Sequence, residues 1–192
     1  MKILGIAGSP RRNGNSERLL DKVLEGASSK GARVEKIVVS ILRIKPCDGN
    51  SACWKRGRCN IKDDMQPIYK KLKSADAIVV ASPVYFGSIT AQLKAFIDRC
   101  QPIWVEGFIL KKKIDQKKRK GIFISTSAHK NKKFLKGSKD VVETFFMVLG
   151  IKMAKSLHVT GLEGKKDILK HKDFLKKAFS YGVNIVAPDK NS

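Results

Sequence analysis

KILGIAGSPRRNGNS (2–16) opens on a short apolar run and closes on a polar loop punctuated by glycine. A run of that kind suits a strand buried on both faces of a sheet. Leu19, Leu20, Val23 and Leu24 then recur at helical spacing between Ser16 and Lys30. Strand, loop and helix in that order form the first half of a βαβ unit, and the pattern repeats along the chain.

RVEKIVV (33–39) is a second strand, and DDMQPIYKKLKSAD (63–76) reads as a helix with Pro67 in its first turn. AIVVAS (77–82) is a third strand, and ITAQLKAFIDRC (89–100) is a helix with Ile89, Leu93, Phe96 and Ile97 on one stripe. GIFISTS (121–127) and IKMAKSLHVTG (151–161) are the fourth and fifth strands. DVVETFFMVLG (140–150) is the helix between them, ending at Gly150, and HKDFLKKAFSYGVNIVA (171–187) is the last helix. Strand and helix alternate five times. That predicts an α/β fold: a doubly wound five-stranded parallel sheet, helices on both faces, in one domain over 1–192; 2-1-3-4-5 is one of the common strand orders of such a sheet and the one expected here. Two stretches stand outside the alternation. One is a cysteine-containing loop at 46–60. The other is an excursion at 101–120, which includes the basic run KKKIDQKKRK (111–120).

The 192 residues carry 40 Lys+Arg against 17 Asp+Glu, a net charge of +23. Such a balance attracts polyanions, anionic membranes or acidic proteins and says nothing about the fold. No recognised nucleic-acid motif accompanies it, and aromatic residues do not interleave with the basic ones. A basic nucleic-acid-binding module on this scaffold therefore rests on charge alone. MKILGIAGSP is too short in apolar residues for a secretion signal, and no segment approaches the roughly 20 that a membrane span needs. The expectation is a cytoplasmic protein whose Cys47, Cys53, Cys59 and Cys100 stay reduced. Clustered thiols there suggest metal or redox work rather than structural disulfides.

In open α/β sheets ligands sit beyond the carboxyl ends of the strands, where the strand order reverses. Strand order 2-1-3-4-5 puts that point between the first and third strands. GSPRRNGNS (8–16) lies there. It offers glycines for tight turns, Ser9, Asn15 and Ser16 as donors or caps, a helix N-terminus, and the guanidinium groups of Arg11 and Arg12. The spacing is neither GxxxxGK[ST] nor GxGxxG, and it suits a phosphate better than a nucleoside triphosphate or a Rossmann dinucleotide. SPVYFGS (82–88) brings Tyr85 and Phe86 to the same edge, where an aromatic edge and backbone amides suit a flat conjugated ring. STSAHK (125–130) adds small residues that let such a ring approach the backbone, and His129 could reach the site. An uncommitted polar turn remains the alternative for each loop.

GSPRRNGNS resembles the phosphate loop of NAD(P)H-dependent FMN reductases with a flavodoxin-like fold. IKDDMQPIYKKLKSADAIVVASPVYFGSITAQLKAFIDR (61–99) carries the resemblance further, and it covers roughly residues 1–160. Within that family the chain is similar to iron–sulfur flavoproteins and their cluster-free relatives. The resemblance implies an oxidoreductase that passes hydride or electrons through FMN. The donor would be NAD(P)H, and the basic charge adds an acidic electron carrier such as a ferredoxin as a partner it would steer. It implies the FMN phosphate on Ser9, Arg11, Asn13, Asn15 and Ser16. The ring would lie against Pro83, Val84, Tyr85, Phe86 and Gly87 and against Thr126, Ser127 and Ala128. It further implies a homodimer or homotetramer with flavin near a subunit interface, and no side chain acting as acid or base.

The compact cysteine motif of iron–sulfur flavoproteins falls on PCDGNSACWKRGRC (46–59) with Cys47 first, Cys53 third and Cys59 fourth. The second position is Asn50, and an amide is a poor soft-metal ligand beside a thiolate. A cluster on Cys47, Cys53 and Cys59, a reversible disulfide, free thiols, or a lid carrying Trp54 are the open readings. Lys55, Arg56, Arg58 and Lys62 should lower the thiol pKa values and favour an anionic cluster.

Overall fold

A computed structural model describes residues 1–112 and 118–187. Strands β1 (Lys2–Ala7), β2 (Arg33–Val38), β3 (Ala77–Pro83), β4 (Arg119–Ser127) and β5 (Ile151–Thr160) form one parallel sheet in the order β2-β1-β3-β4-β5. That is the expected order. Its helices are α1 (Asn15–Ser28), α2 (Cys53–Arg56), α3 (Met65–Ser74), α4 (Ala91–Asp98), α5 (Gln101–Trp104), α6 (Lys136–Val148) and α7 (Lys172–Val186).

Alternation along the strands sorts side chains to two cores, because successive Cβ atoms point to opposite faces. Leu4, Ile6, Ile78, Val80 and Phe123 pack with Met65, Ile68 and Leu72 of α3, Leu93 and Phe96 of α4, and Phe145 and Phe146 of α6. Ile3, Ala7, Val79, Ala81, Ile122 and Ile124 pack with Leu19, Leu20, Val23 and Ala27 of α1 and Ala178 and Ile185 of α7. Covered on both faces, β3 has no room for a polar residue before Ser82.

Helix α6 begins at Lys136, four residues before the sequence pattern suggested. Its first turn, KGSK, carries no apolar stripe and its N-cap makes no side-chain bond, so the start has no sequence signal. The 101–120 excursion is partly helical. After α5, Val105–Ile109 forms one π-helical turn, and Trp104 and Phe108 stack with ring centroids 6.1 Å apart. Much of the basic run that follows, residues 113–117, lies outside the described residues.

Helices α1 and α7 cross with backbone against backbone. A Cβ on Gly26 would lie 2.1 Å from the Phe179 carbonyl oxygen, and one on Gly182 would lie 1.9 Å from that of Val23. Only glycine permits this approach, because neither obstacle is a side chain that can swing aside. Gly182→Ala should therefore force the helices apart and lower stability by about 1–3 kcal/mol or more. Urea unfolding should show a lower midpoint with an unchanged slope.

Candidate functional site

The loops after β1, β3 and β4 emerge side by side at the carboxyl edge of the sheet and are tied together. Gly8 donates its N–H to the Ala81 carbonyl at 2.8 Å, and the Thr90 hydroxyl donates to the Gly8 carbonyl at 2.5 Å. Val84 donates to the Thr126 carbonyl at 2.8 Å. Gly8 also lies hard against α4: a Cβ there would come within 2.7 Å of the Leu93 side chain.

Between β1 and α1 the chain turns on Ser9. Its hydroxyl accepts from the Arg11 N–H at 3.1 Å and lies 3.2 Å from the Arg11 carbonyl, as a donor to it. Gly14 is the N-cap of α1 and brings no side chain to the first N–H groups of the helix. Those groups and the helix dipole are a ready anion site. Ser9 and Ser16 are buried beneath the loop, whereas Arg11 and Asn13 are exposed at its rim.

Two candidates differ from the sequence expectation. The Asn15 amide does not face the loop's anion site with free groups. It donates to the Gly164 carbonyl at 2.8 Å and accepts from the Ile168 N–H at 3.1 Å, tying α1 to the segment after β5. Asn13 has a left-handed backbone (φ 56°), and its N–H is taken by Glu17 at 2.6 Å. Glu17 is the site residue that the sequence reading missed. Burial alone would raise its pKa, but the Asn13 N–H, the Lys36 ammonium at 3.1 Å and the Arg12 guanidinium at 3.6 Å outweigh that and hold it below the ordinary carboxylate value. The signal was a Glu three residues after the N-cap, the spacing of a capping box, here reaching one residue further back.

After β3 ends at Pro83, Tyr85 to Ser88 form a short reverse turn. Tyr85 and Ser88 exchange both backbone hydrogen bonds, and Phe86 (φ 49°) and Gly87 (φ 75°) both take the left-handed conformation. Glycine adopts it freely; for a phenylalanine it is an outlier of the kind that gathers at functional sites. The turn leaves Phe86 wholly exposed and Tyr85 partly so. From below, α6 abuts this turn: a Cβ on Gly137 would come within 2.4 Å of the Gly87 carbonyl oxygen. Pro83 sits in register with Thr126, which is buried with Ser127, while Ala128 is exposed. His129 has its ring against Phe134 and accepts from the Asn131 N–H, so it serves its own loop. On the neighbouring strands Ser125 Oγ and His158 Nδ1 lie 2.5 Å apart, and burial, then Lys139, holds the His158 pKa below its ordinary value.

The cysteine loop stands on a buried ion pair. Arg99 and Asp63 meet at 2.5 Å, and Arg99 also donates to the Lys45 carbonyl at 2.7 Å and the Ile61 carbonyl at 3.5 Å. Its Nε is buried without a hydrogen-bond partner. Cys47, Cys53 and Cys59 surround a small cavity of about 20 Å³ that Asn50 and Arg99 also line. All three thiols are free. Among the described residues no three His, Cys, Asp or Glu side chains are placed to share a metal ion. Burial raises the Cys53 pKa, and the Cys59 and Cys47 sulfurs push it the same way. At Cys53 the expected lowering by nearby Lys and Arg is thus corrected. Cys100 lies in the core, where burial pushes its thiol far up and leaves it inert. Above the loop, Trp54 packs edge-on to Trp104 at 6.0 Å, forming one wall of a cleft of about 650 Å³ whose other sides include Ile97, Val141 and Phe145.

A family model described as NADPH-dependent FMN reductase matches residues 1–149. An iron–sulfur flavoprotein of Methanocaldococcus jannaschii is 42% identical over 114 residues, 59% of this chain and 58% of that protein. The match thus spans little more than half the length of such relatives. Among solved structures, an NAD(P)H:quinone oxidoreductase from Methanothermobacter marburgensis superposes with a TM-score of 0.70 at 18% identity, covering 100% of this chain and 99% of that one. A flavodoxin from the domain Archaea gives 0.57 at 13%, covering 97% and 96%. At such identities the two structures show the fold, which is flavodoxin-like.

The Glu17 cluster sets a pH dependence. A carboxylate held below its unfolded value of about 4.5 adds stability above that pH and loses it as pH falls through the folded value. Wild type should exceed Glu17→Gln in stability at pH 7, and the gap should close below pH about 4. Thermal unfolding of both proteins across pH 3–7 reads this directly.

Proposed function

The chain belongs to the NADPH-dependent FMN reductase family, and from that premise we propose that it is a redox flavoprotein holding FMN at the crevice between β1 and β3. One observation carries the reading: an uncapped helix N-terminus and an exposed aromatic turn stand side by side at the switch point of the sheet. FMN, when bound, supplies the transfer of hydride or single electrons from a donor to an acceptor.

The residues present fit that group. Ser9, Ser16 and the first N–H groups of α1 would receive the phosphate, with Arg11 closing over it from the rim. Asn13 and Asn15 would contribute through position: Asn13 by its left-handed turn, Asn15 by a backbone N–H and by anchoring the helix to Gly164 and Ile168. Pro83, Val84, Tyr85, Phe86 and Gly87 would line one side of the ring, and Thr126, Ser127 and Ala128 the other. The tie between Val84 and Thr126 keeps the two walls at fixed separation. Preorganised walls spare the ordering cost that flexible loops would add on binding.

NAD(P)H is the donor that the family suggests, with an acidic carrier such as a ferredoxin as the partner that a net charge of +23 would steer. A homodimer or homotetramer is supported by the apolar groups left outside: Phe86, Phe108, Trp54 and Met147. Four unpaired cysteines suit the cytoplasm. Among the described residues no helix is long and apolar enough to cross a membrane.

Anaerobic addition of NADPH to the FMN-loaded full chain should bleach the flavin band, and a band unchanged by NADPH, NADH and a reduced ferredoxin would count against the reading. Arg11→Ala should weaken FMN about tenfold, the loss of one charge-assisted hydrogen bond, and leave riboflavin affinity unchanged. Fluorescence titration of the apoprotein with both flavins measures the contrast.

A further inference from the structure

We infer that in this chain the 46–60 loop is closed by the Asn50 amide in place of an iron–sulfur cluster. The resemblance puts a cluster ligand at position 50, and the structure shows what the side chain does instead. Asn50 Oδ1 accepts from the Ala52 N–H at 2.9 Å. Its Nδ2 donates to the Asp48 carboxylate at 2.8 Å and reaches Asn60 Oδ1, on the far limb of the loop, at 3.5 Å. One amide thus joins both limbs with two N–H donors and a carbonyl acceptor, where a cysteine offers one weak donor and a weak acceptor.

The backbone depends on that amide. Gly49 (φ 69°) and Ser51 (φ 57°) flank Asn50 in the left-handed region. Ser51 lacks glycine's freedom there, and the turn from Asn50 Oδ1 to the Ala52 N–H spans it. The base of the loop is fixed by other means. Arg99 binds the Lys45 and Ile61 carbonyls from beneath, and Gln66 Nε2 donates to the Cys59 and Ile61 carbonyls at 3.2 and 2.6 Å. Both limbs are therefore held without a metal.

The donor set does not fit a four-iron cluster. Such a cluster takes four soft ligands, and the fourth here is an amide already spent on three partners. What the loop delivers is Trp54, set against Trp104 as the wall of the adjoining cleft. The loop thus acts as a lid closed by its own amide.

The test uses the full chain, reconstituted without oxygen with ferrous iron and sulfide. Expected are flavin bands with no broad chelator-sensitive shoulder, and iron well below one atom per chain. Three or four irons with matching sulfide, bleached by a chelator, would overturn the inference. Peptide-level alkylation supplies the second arm: Asn50→Ala should expose Cys53 and Cys59, both half-buried in wild type, to several-fold faster modification. Unchanged rates would show that Asn50 does not close the loop. Flavin content is read separately in the same spectrum, so a colourless, iron-free protein would sink the flavin reading and leave this inference standing.

Discussion

The reversal of strand order at β1 governs the rest of the molecule. Helix α1 leaves β1 for one face of the sheet, and α4 leaves β3 for the other. The adjoining loops must part, and two helix N-termini come to flank the gap. The protein treats them differently. Thr90 caps α4 with its own hydroxyl, which accepts from the Leu93 N–H at 3.3 Å, while α1 is given Gly14 and no side-chain cap. One terminus has a side-chain cap; the other has none. That asymmetry leaves, at a point set by topology, the kind of helix terminus that suits an anion.

Everything around the crevice holds it in shape before anything binds. Glu17, buried beneath the phosphate loop, gathers the Asn13 N–H, Lys36 and Arg12, so the loop is braced from the helix and from β2. Asn15 braces it from the chain's last third. Thr90 links the loops after β1 and β3, and Val84 links those after β3 and β4. A strained Phe86 is left pointing outward from this braced edge. The flavin reading draws its strength from this convergence and from the family match. The nucleic-acid alternative is not favoured: it keeps the net charge, with no recognised motif in the sequence added to it.

The sheet was legible because β1, β3 and the core of β4 are local apolar runs, the outer strands β2 and β5 keep β-branched residues among their charged ones, and each main helix is a local stripe. The alternation announced a doubly wound sheet, the resemblance to flavodoxin-like reductases its order, and all five strands appeared within a few residues of expectation. The site's location was legible for the same reason. Its internal chemistry was only partly so. Asn15 and its partner Gly164 are 149 residues apart, and no local pattern announces such a tie. In YFGS the glycine promises one left-handed residue, yet Phe86 takes that conformation as well. Near the cysteines, counting Lys and Arg suggested lowered thiol pKa values. At Cys53 desolvation and the neighbouring sulfurs prevail, because those cations lie on exposed stems while the thiol is half-buried.

Two stretches of loop thus divide the work. The crevice at the switch point is proposed to receive a phosphate and a flat ring; the cysteine loop stands over a buried ion pair. The most direct measurement on the first, central claim is the flavin count. Full-length apoprotein incubated with FMN and freed of excess should retain one FMN per chain, and riboflavin should be retained poorly because the uncapped α1 terminus answers to phosphate. No retained FMN, or equal retention of both flavins, would contradict the account.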